Sequence, residues 1–229
     1  DAANNEICDL STLDDLLSLV TLDLGFNDLG CGGIGVSPDF DSLENAPYLE
    51  TLILNDNNLT SIEGLRGRNI SLTTLYLNNN QLTDITPIGE YTDITTLLLY
   101  NNNIVNIDDL SGMTGLTSID LSENNIVDFS DLLTIPNIET VYLGSNQIAV
   151  IPDLSLSWTS LKYLDLQDNV LTDTSGLNGH PSIEIINLYN NELNELSGVS
   201  NMPELIGLIL FEEDMDDLET DDIAAYDVE

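Results

Sequence analysis

The sequence predicts an α/β solenoid: a superhelix of short repeats, with a parallel β-sheet on its concave side and short helical or 3-10 turns on its convex side. Three observations carry that prediction. An apolar position recurs at Leu22, Leu52, Leu75, Leu97, Ile119, Val141, Leu164, Ile186 and Leu208, in steps of 22 or 23 after a first gap of 30. An asparagine follows in register at Asn27, Asn57, Asn80, Asn102, Asn124, Asn146, Asn169 and Asn191, giving way to Glu213 in the ninth turn. Around each apolar position the residues alternate with period two, the mark of a short strand with one buried face.

Residues 72–82, LTTLYLNNNQL, show the unit most plainly. Leu75 and Leu77 point inward from the strand and Tyr76 points out. The asparagine sits at the bend that follows. Its amide can bond backbone groups that no strand ladder reaches, and such groups are costly to bury unpaired. One unit cannot bury its apolar face alone, so the units stack into an array.

The chain opens with a short cap over residues 1–15 that merges into the first turn, since Leu13, Leu16, Leu19, Leu22 and Leu24 already follow the repeat. Ser11 is a candidate N-cap for a brief helix over Thr12 to Leu17. Residues 30–42, GCGGIGVSPDFDS, form a glycine-rich insertion that accounts for the long first gap. No helix start or Lys-Ser pair follows it, which rules out a phosphate-binding loop. Cys8 and Cys31 suggest a disulfide stapling this end, with two free thiols as the alternative.

Regular repeats run over residues 43–211 without a linker. Behind the strands a second column reads Ala46, Tyr91, Met113, Ile135, Trp158, His180 and Met202, so Trp158 and His180 read as core residues. A third column, Ile62, Ile85, Ile107, Phe129, Ile151, Thr174 and Leu196, closes each turn. The returns are short and some contain proline, which favours 3-10 turns over long helices. Residues 212–229 are acidic and read as a degenerate last repeat or cap, in which Met215 and Leu218 still match the columns.

Against 41 acidic side chains the chain carries three basic ones, Arg66, Arg68 and Lys162, a formal net charge of -38 in 229 residues. That charge excludes nucleic acid as a partner and disfavours an anionic membrane surface. No apolar run is long enough for a membrane-inserted helix. The bland reading of the acidity is adaptation to a salty milieu. The sharper one is a cation-dependent protein, with calcium as the only cofactor candidate, although no ordered calcium loop is present. No metal-ligand set and no catalytic constellation shows motif spacing, so the chain reads as non-enzymatic.

The period of 22, the asparagine column and the phrases L-T-x-L-x-L and D-I-x-P-I resemble the internalin-like class of bacterial leucine-rich repeats. The likeness covers roughly residues 13–211 and is plainest at LTDITPIGEYTDITTLLL, residues 82–99. The resemblance implies a right-handed leucine-rich-repeat superhelix, an extracellular or cell-surface setting, and binding of a protein partner through the concave face in the manner of an adhesin.

The residues bear on that face directly. Outward strand positions collect Tyr76, Tyr100, Tyr142, Tyr163, Tyr189 and Phe211, and Asp120, Glu123, Asp165 and Asp168 surround Tyr142 and Tyr163. Tyrosine gives a binding surface apolar area and a hydroxyl at low rotamer cost. The expected ligand is therefore a protein or glycan that is basic or cation-bridged, bound by a monomer. Two rivals stand beside it. The row from Thr21 to Thr140 would suit an ice, crystalline or carbohydrate surface, and free thiols would suit a cytosolic scaffold. Asn58-Leu59-Thr60 and Asn69-Ile70-Ser71 are glycosylation sequons.

The charge gives a first prediction. Melting temperature should rise steadily with monovalent salt over a range of about 0.1–1 M, where screening lengths fall from about 10 to 3 Å. Calcium at millimolar concentration should add nothing beyond its ionic strength. Stabilisation by calcium far below screening concentrations would contradict the salt-adaptation reading.

Overall fold

The structure is a computed structural model that describes residues 1–211 apart from 12, 14, 15 and 68–70. Three sequence expectations fall on or across residues outside this set: the brief helix over 12–17, the sequon at Asn69, and the acidic segment 212–229.

Nine three-residue strands pair in chain order as one open parallel sheet: β1 (Thr21–Asp23), β2 (Thr51–Ile53), β3 (Thr74–Tyr76), β4 (Thr96–Leu98), β5 (Ser118–Asp120), β6 (Thr140–Tyr142), β7 (Tyr163–Asp165), β8 (Ile185–Asn187) and β9 (Gly207–Ile209). Leu22, Leu52, Leu75, Leu97, Ile119, Val141, Leu164, Ile186 and Leu208 lie in one register across it, as the spacing predicts. Strands return through 3-10 turns such as Thr86–Ile88, Asp108–Gly112 and Ser130–Thr134. No α-helix occurs among the described residues, so none there could cross a membrane.

The core is one continuous column of leucine, isoleucine and valine inside the coil. The sequence columns account for most of it. Two parts were not foreseen. Leu43, Leu65, Ile88, Leu110, Leu132, Leu154 and Leu177 form a further buried column beneath the 3-10 turns. Phe40, placed by its sequence in the insertion, is fully buried and precedes Ile62 by one repeat, so the core resumes before residue 42. The exposed part of that loop bears Ile34, turns at Gly33 and Gly35 with positive φ, and is held where the Gly35 amide donates to Thr60 Oγ1.

Polar tips in the second column are satisfied one turn back. The Tyr91 hydroxyl donates to the Leu65 carbonyl and Trp158 Nε1–H to that of Leu132. His180 is fully buried, and its Nδ1 accepts the amides of Ser182 and Ile183. Nε2 is buried without a hydrogen-bond partner. Burial holds this histidine below its usual pKa. It therefore stabilises the fold above the unfolded histidine range and loses that contribution as pH falls through its own lowered pKa.

The asparagines tie one turn to the next. Asn102 Nδ2 donates to the Leu99 and Tyr100 carbonyls of its own turn and to the Leu77 carbonyl of the turn before, while its Oδ1 accepts the Leu82 amide. Asn57, Asn80, Asn124, Asn146, Asn169 and Asn191 repeat the pattern. Each preceding residue, from Phe26 and Asp56 through Asn79, Asn101, Glu123, Ser145 and Asp168 to Asn190, is left-handed with φ of 51–56°. That turn brings the amide beneath the backbone.

The N-terminal residues take the place of a missing turn. Ala2 and Asn4 donate to the Asp23 and Gly25 carbonyls, the pattern by which Leu24 and Phe26 donate to Ile53 and Asn55. Cys8 and Cys31 are bonded, with Cα atoms 5.8 Å apart.

Asn102→Ala should destabilise the fold by roughly 1–3 kcal/mol, because it orphans buried carbonyls and an amide. Asn103→Ala, one residue on and exposed, should fall within about 0.5 kcal/mol of wild type. Denaturant melts of the two variants check the difference.

Candidate functional site

The outer face of the sheet is built from the strand positions between inward leucines and from the residues two further on. Rows across the strands follow from the register. One row runs Tyr76, Leu98, Asp120, Tyr142, Asp165, Asn187, Ile209 across β3 to β9. Tyr142 thus sits between two carboxylates, one on each neighbouring strand.

The predicted residues do share this side of the molecule, at different depths. Tyr76, Tyr100, Asp120, Tyr142 and Tyr189 are half-buried, and Glu123 and Phe211 are exposed. Tyr163 and Asp165 depart from the expectation of an open surface: only 2% and 5% of each is exposed. Tyr163 packs with Ile185 and Ile209 in a second apolar cluster, flanked by Tyr142 and Tyr189, on the outside of the sheet. The Tyr142 and Tyr163 rings lie 5.1 Å apart, tilted at 44°. The reason is lateral. Where the outward row changes from threonine to Tyr163 and Ile185, large side chains stand a strand apart and cover one another.

One feature of the face was missed from sequence. Asp23, Asp120, Asp165 and Asn187 occupy the same strand position, and each side-chain oxygen accepts the amide two residues on, at Gly25, Ser122, Gln167 and Tyr189. The recurrence of Asp or Asn at that position was the available signal. These side chains fix the bend that follows the strand.

Among the described residues no group of three or more His, Cys, Asp or Glu is arranged to hold a metal ion. A groove of about 640 Å³ opens at the C-terminal end, between Leu188, Leu193, Leu196 and Phe211. Tyr189 and Phe211 of the predicted face residues also line it.

A family model described as leucine-rich repeats in two copies matches residues 49–90, 92–134 and 136–179. The chain belongs to the leucine-rich-repeat family. Solved leucine-rich-repeat structures similar to it include internalin C2 of Listeria monocytogenes, at a TM-score of 0.73 and 26% identity over 85% of this chain and 82% of that one. Another is an internalin, inlF, of the same organism, at a TM-score of 0.60 and 27% identity over 91% and 72%. A search of curated proteins finds no match. This is therefore an internalin-like leucine-rich-repeat protein.

Electrostatics single out Asp165 on the leucine-rich-repeat face. Burial drives its pKa up to about 7; the Gln167 amide opposes the rise, and the Asp120 and Asp168 charges add to it. Burial also raises the Tyr76 and Tyr100 hydroxyls.

A carboxyl whose folded pKa lies above its unfolded value stabilises the fold below the unfolded pKa and loses that contribution as pH rises through the folded one. Asp165→Asn keeps the acceptor that Asn187 already supplies in the neighbouring strand and cannot ionise. Its stability should equal wild type near pH 4, pull ahead as pH rises to about 7, and hold a constant lead above that. By linkage the lead is on the order of 2–4 kcal/mol. Urea melts at several pH values measure it.

Proposed function

We propose that this protein is a non-catalytic recognition module that binds a protein partner, at a cell surface or outside the cell, through the outer face of its sheet. The observation that carries the reading is the row of aromatic and acidic side chains from Tyr76 to Asp165, held at strand spacing on turns that are cross-tied by asparagines. Tyrosine rings on a rigid scaffold lose little entropy on binding and offer both apolar area and hydroxyls. The acidic setting selects a basic partner surface and speeds its approach. The kinship with internalins supports a secreted or surface-held interaction protein. The remaining acidity serves solubility in salt.

The test is capture of partners from surface extracts at native salt. Tyr76→Ala/Tyr100→Ala/Tyr142→Ala is compared with Val127→Ser/Val150→Ser, which alters exposed residues off the sheet. Both variants are first shown folded by circular dichroism. The tyrosine variant should weaken capture at least roughly 10-fold, since anchor aromatics commonly contribute 1–2 kcal/mol or more each. The valine variant should bind as wild type. A partner held equally by wild type and the tyrosine variant would remove function from this face.

A further inference from the structure

The groove at the C-terminal end breaks two columns that are closed everywhere else along the coil. Leu59, Leu82, Ile104, Ile126, Ile148 and Leu171 are buried, and so are Ile62, Ile85, Ile107, Phe129, Ile151 and Thr174. Each of these has a counterpart in the next turn. Leu193 and Leu196 continue the two columns and line the groove, but Leu193 is only half-buried and Leu196 is 37% exposed. The repeat step of 22 puts Met215 and Leu218 next in the same columns. The chain also arrives at the right place. Leu210 and Phe211 directly follow β9 and line the groove themselves. Met215 is then four residues from it, the span from Tyr189 to Leu193 one turn earlier.

We propose that the groove is the seat of the chain's own residues 212–218, with Met215 over Leu193 and Leu218 over Leu196, as a cap that apolar burial holds and charge opposes. The tie that fixes earlier turns is missing here. Asn191 Nδ2 donates to the Leu166, Leu188 and Tyr189 carbonyls, and its Oδ1 accepts the Leu171 amide. Glu213 takes that column in the next turn and cannot donate when ionised. Ten of the 18 residues from 212 to 229 are acidic, and Glu195 lines the groove. The cap therefore depends on burial of two side chains against a repulsion that salt screens. A second copy is the poorer occupant, because it carries the same net charge of -38 and lacks the effective concentration of a segment tethered at Phe211. Tyr189 and Phe211 line the groove and are also predicted face residues, so a seated cap borders the tyrosine face.

The test uses the full chain with carbon-13 methionine methyl labels, which give three resonances, from Met113, Met202 and Met215. At about 1 M sodium chloride the Met215 methyl should show nuclear Overhauser contacts to the Leu193 and Leu196 methyls, and the seated fraction should fall as salt is lowered to about 0.1 M. At the lower salt Glu213→Asn should raise the ratio of seated to free cap by roughly 2- to 10-fold, the worth of one restored hydrogen bond. Leu196→Ser, at an exposed position, should release Met215 and leave the buried Met113 resonance unmoved. A Met215 methyl without these contacts at high salt, or with contacts unchanged in Leu196→Ser, would overturn the cap and leave the groove to a partner. Contacts that vanish on dilution would assign the groove to a second copy and equally overturn it.

Discussion

One contact governs this molecule: an asparagine amide that reaches under its own bend and across to the turn before. Asn80, for example, gives hydrogen to Leu77 and Asn78 in its own turn and to Leu54 in the previous one, and takes the Leu59 amide in return. A parallel sheet of three-residue strands has few ladder bonds per turn, and the bend after each strand exposes several backbone groups to a dry interior. Asparagine has donors and an acceptor in one small group, so it can satisfy both sides. Glutamate at residue 213 cannot donate when ionised, and the asparagine column stops there.

Consequences run outward from that contact. Because each turn is fixed on its neighbour, side chains on the outer face stay at strand spacing. Rows such as Asp120, Tyr142 and Asp165 are then geometric necessities of the register. The same stacking explains why the chain tolerates so much acidity. The attractive terms lie inside, in apolar columns and uncharged amides, and among the described residues the carboxylates other than buried Asp165 reach solvent, where salt screens them. The cations Arg66 and Lys162 pair with Glu63 and Glu139 at the surface, where such pairs contribute little.

The sequence revealed the period, the strands, the asparagine column and the burial of Trp158 and His180, because each depends on residues recurring at a fixed spacing. The left-handed position before each asparagine was only half legible. Asp56, Asn79, Asn101, Asp168 and Asn190 suit it, whereas Phe26, Glu123 and Ser145 hide it. The depth of Tyr163 and Asp165 was not legible from their own repeat. Whether an outward side chain is open or covered depends on the residues one repeat away on either side, and here those are Thr140 and Ile185, Tyr142 and Asn187. Position in the alternation gives the face of a residue and leaves its exposure undetermined.

Native-state hydrogen exchange of the amides that donate to the asparagine oxygens, those of Leu59, Leu82, Ile104, Ile126, Ile148 and Leu171, tests this account most directly. If the asparagines lock the turns together, these amides exchange only with global unfolding, as slowly as the amides of the central strands. Exchange as fast as that of exposed loop amides, with the strands still protected, would show that the turns are held by the apolar core alone and would contradict the account.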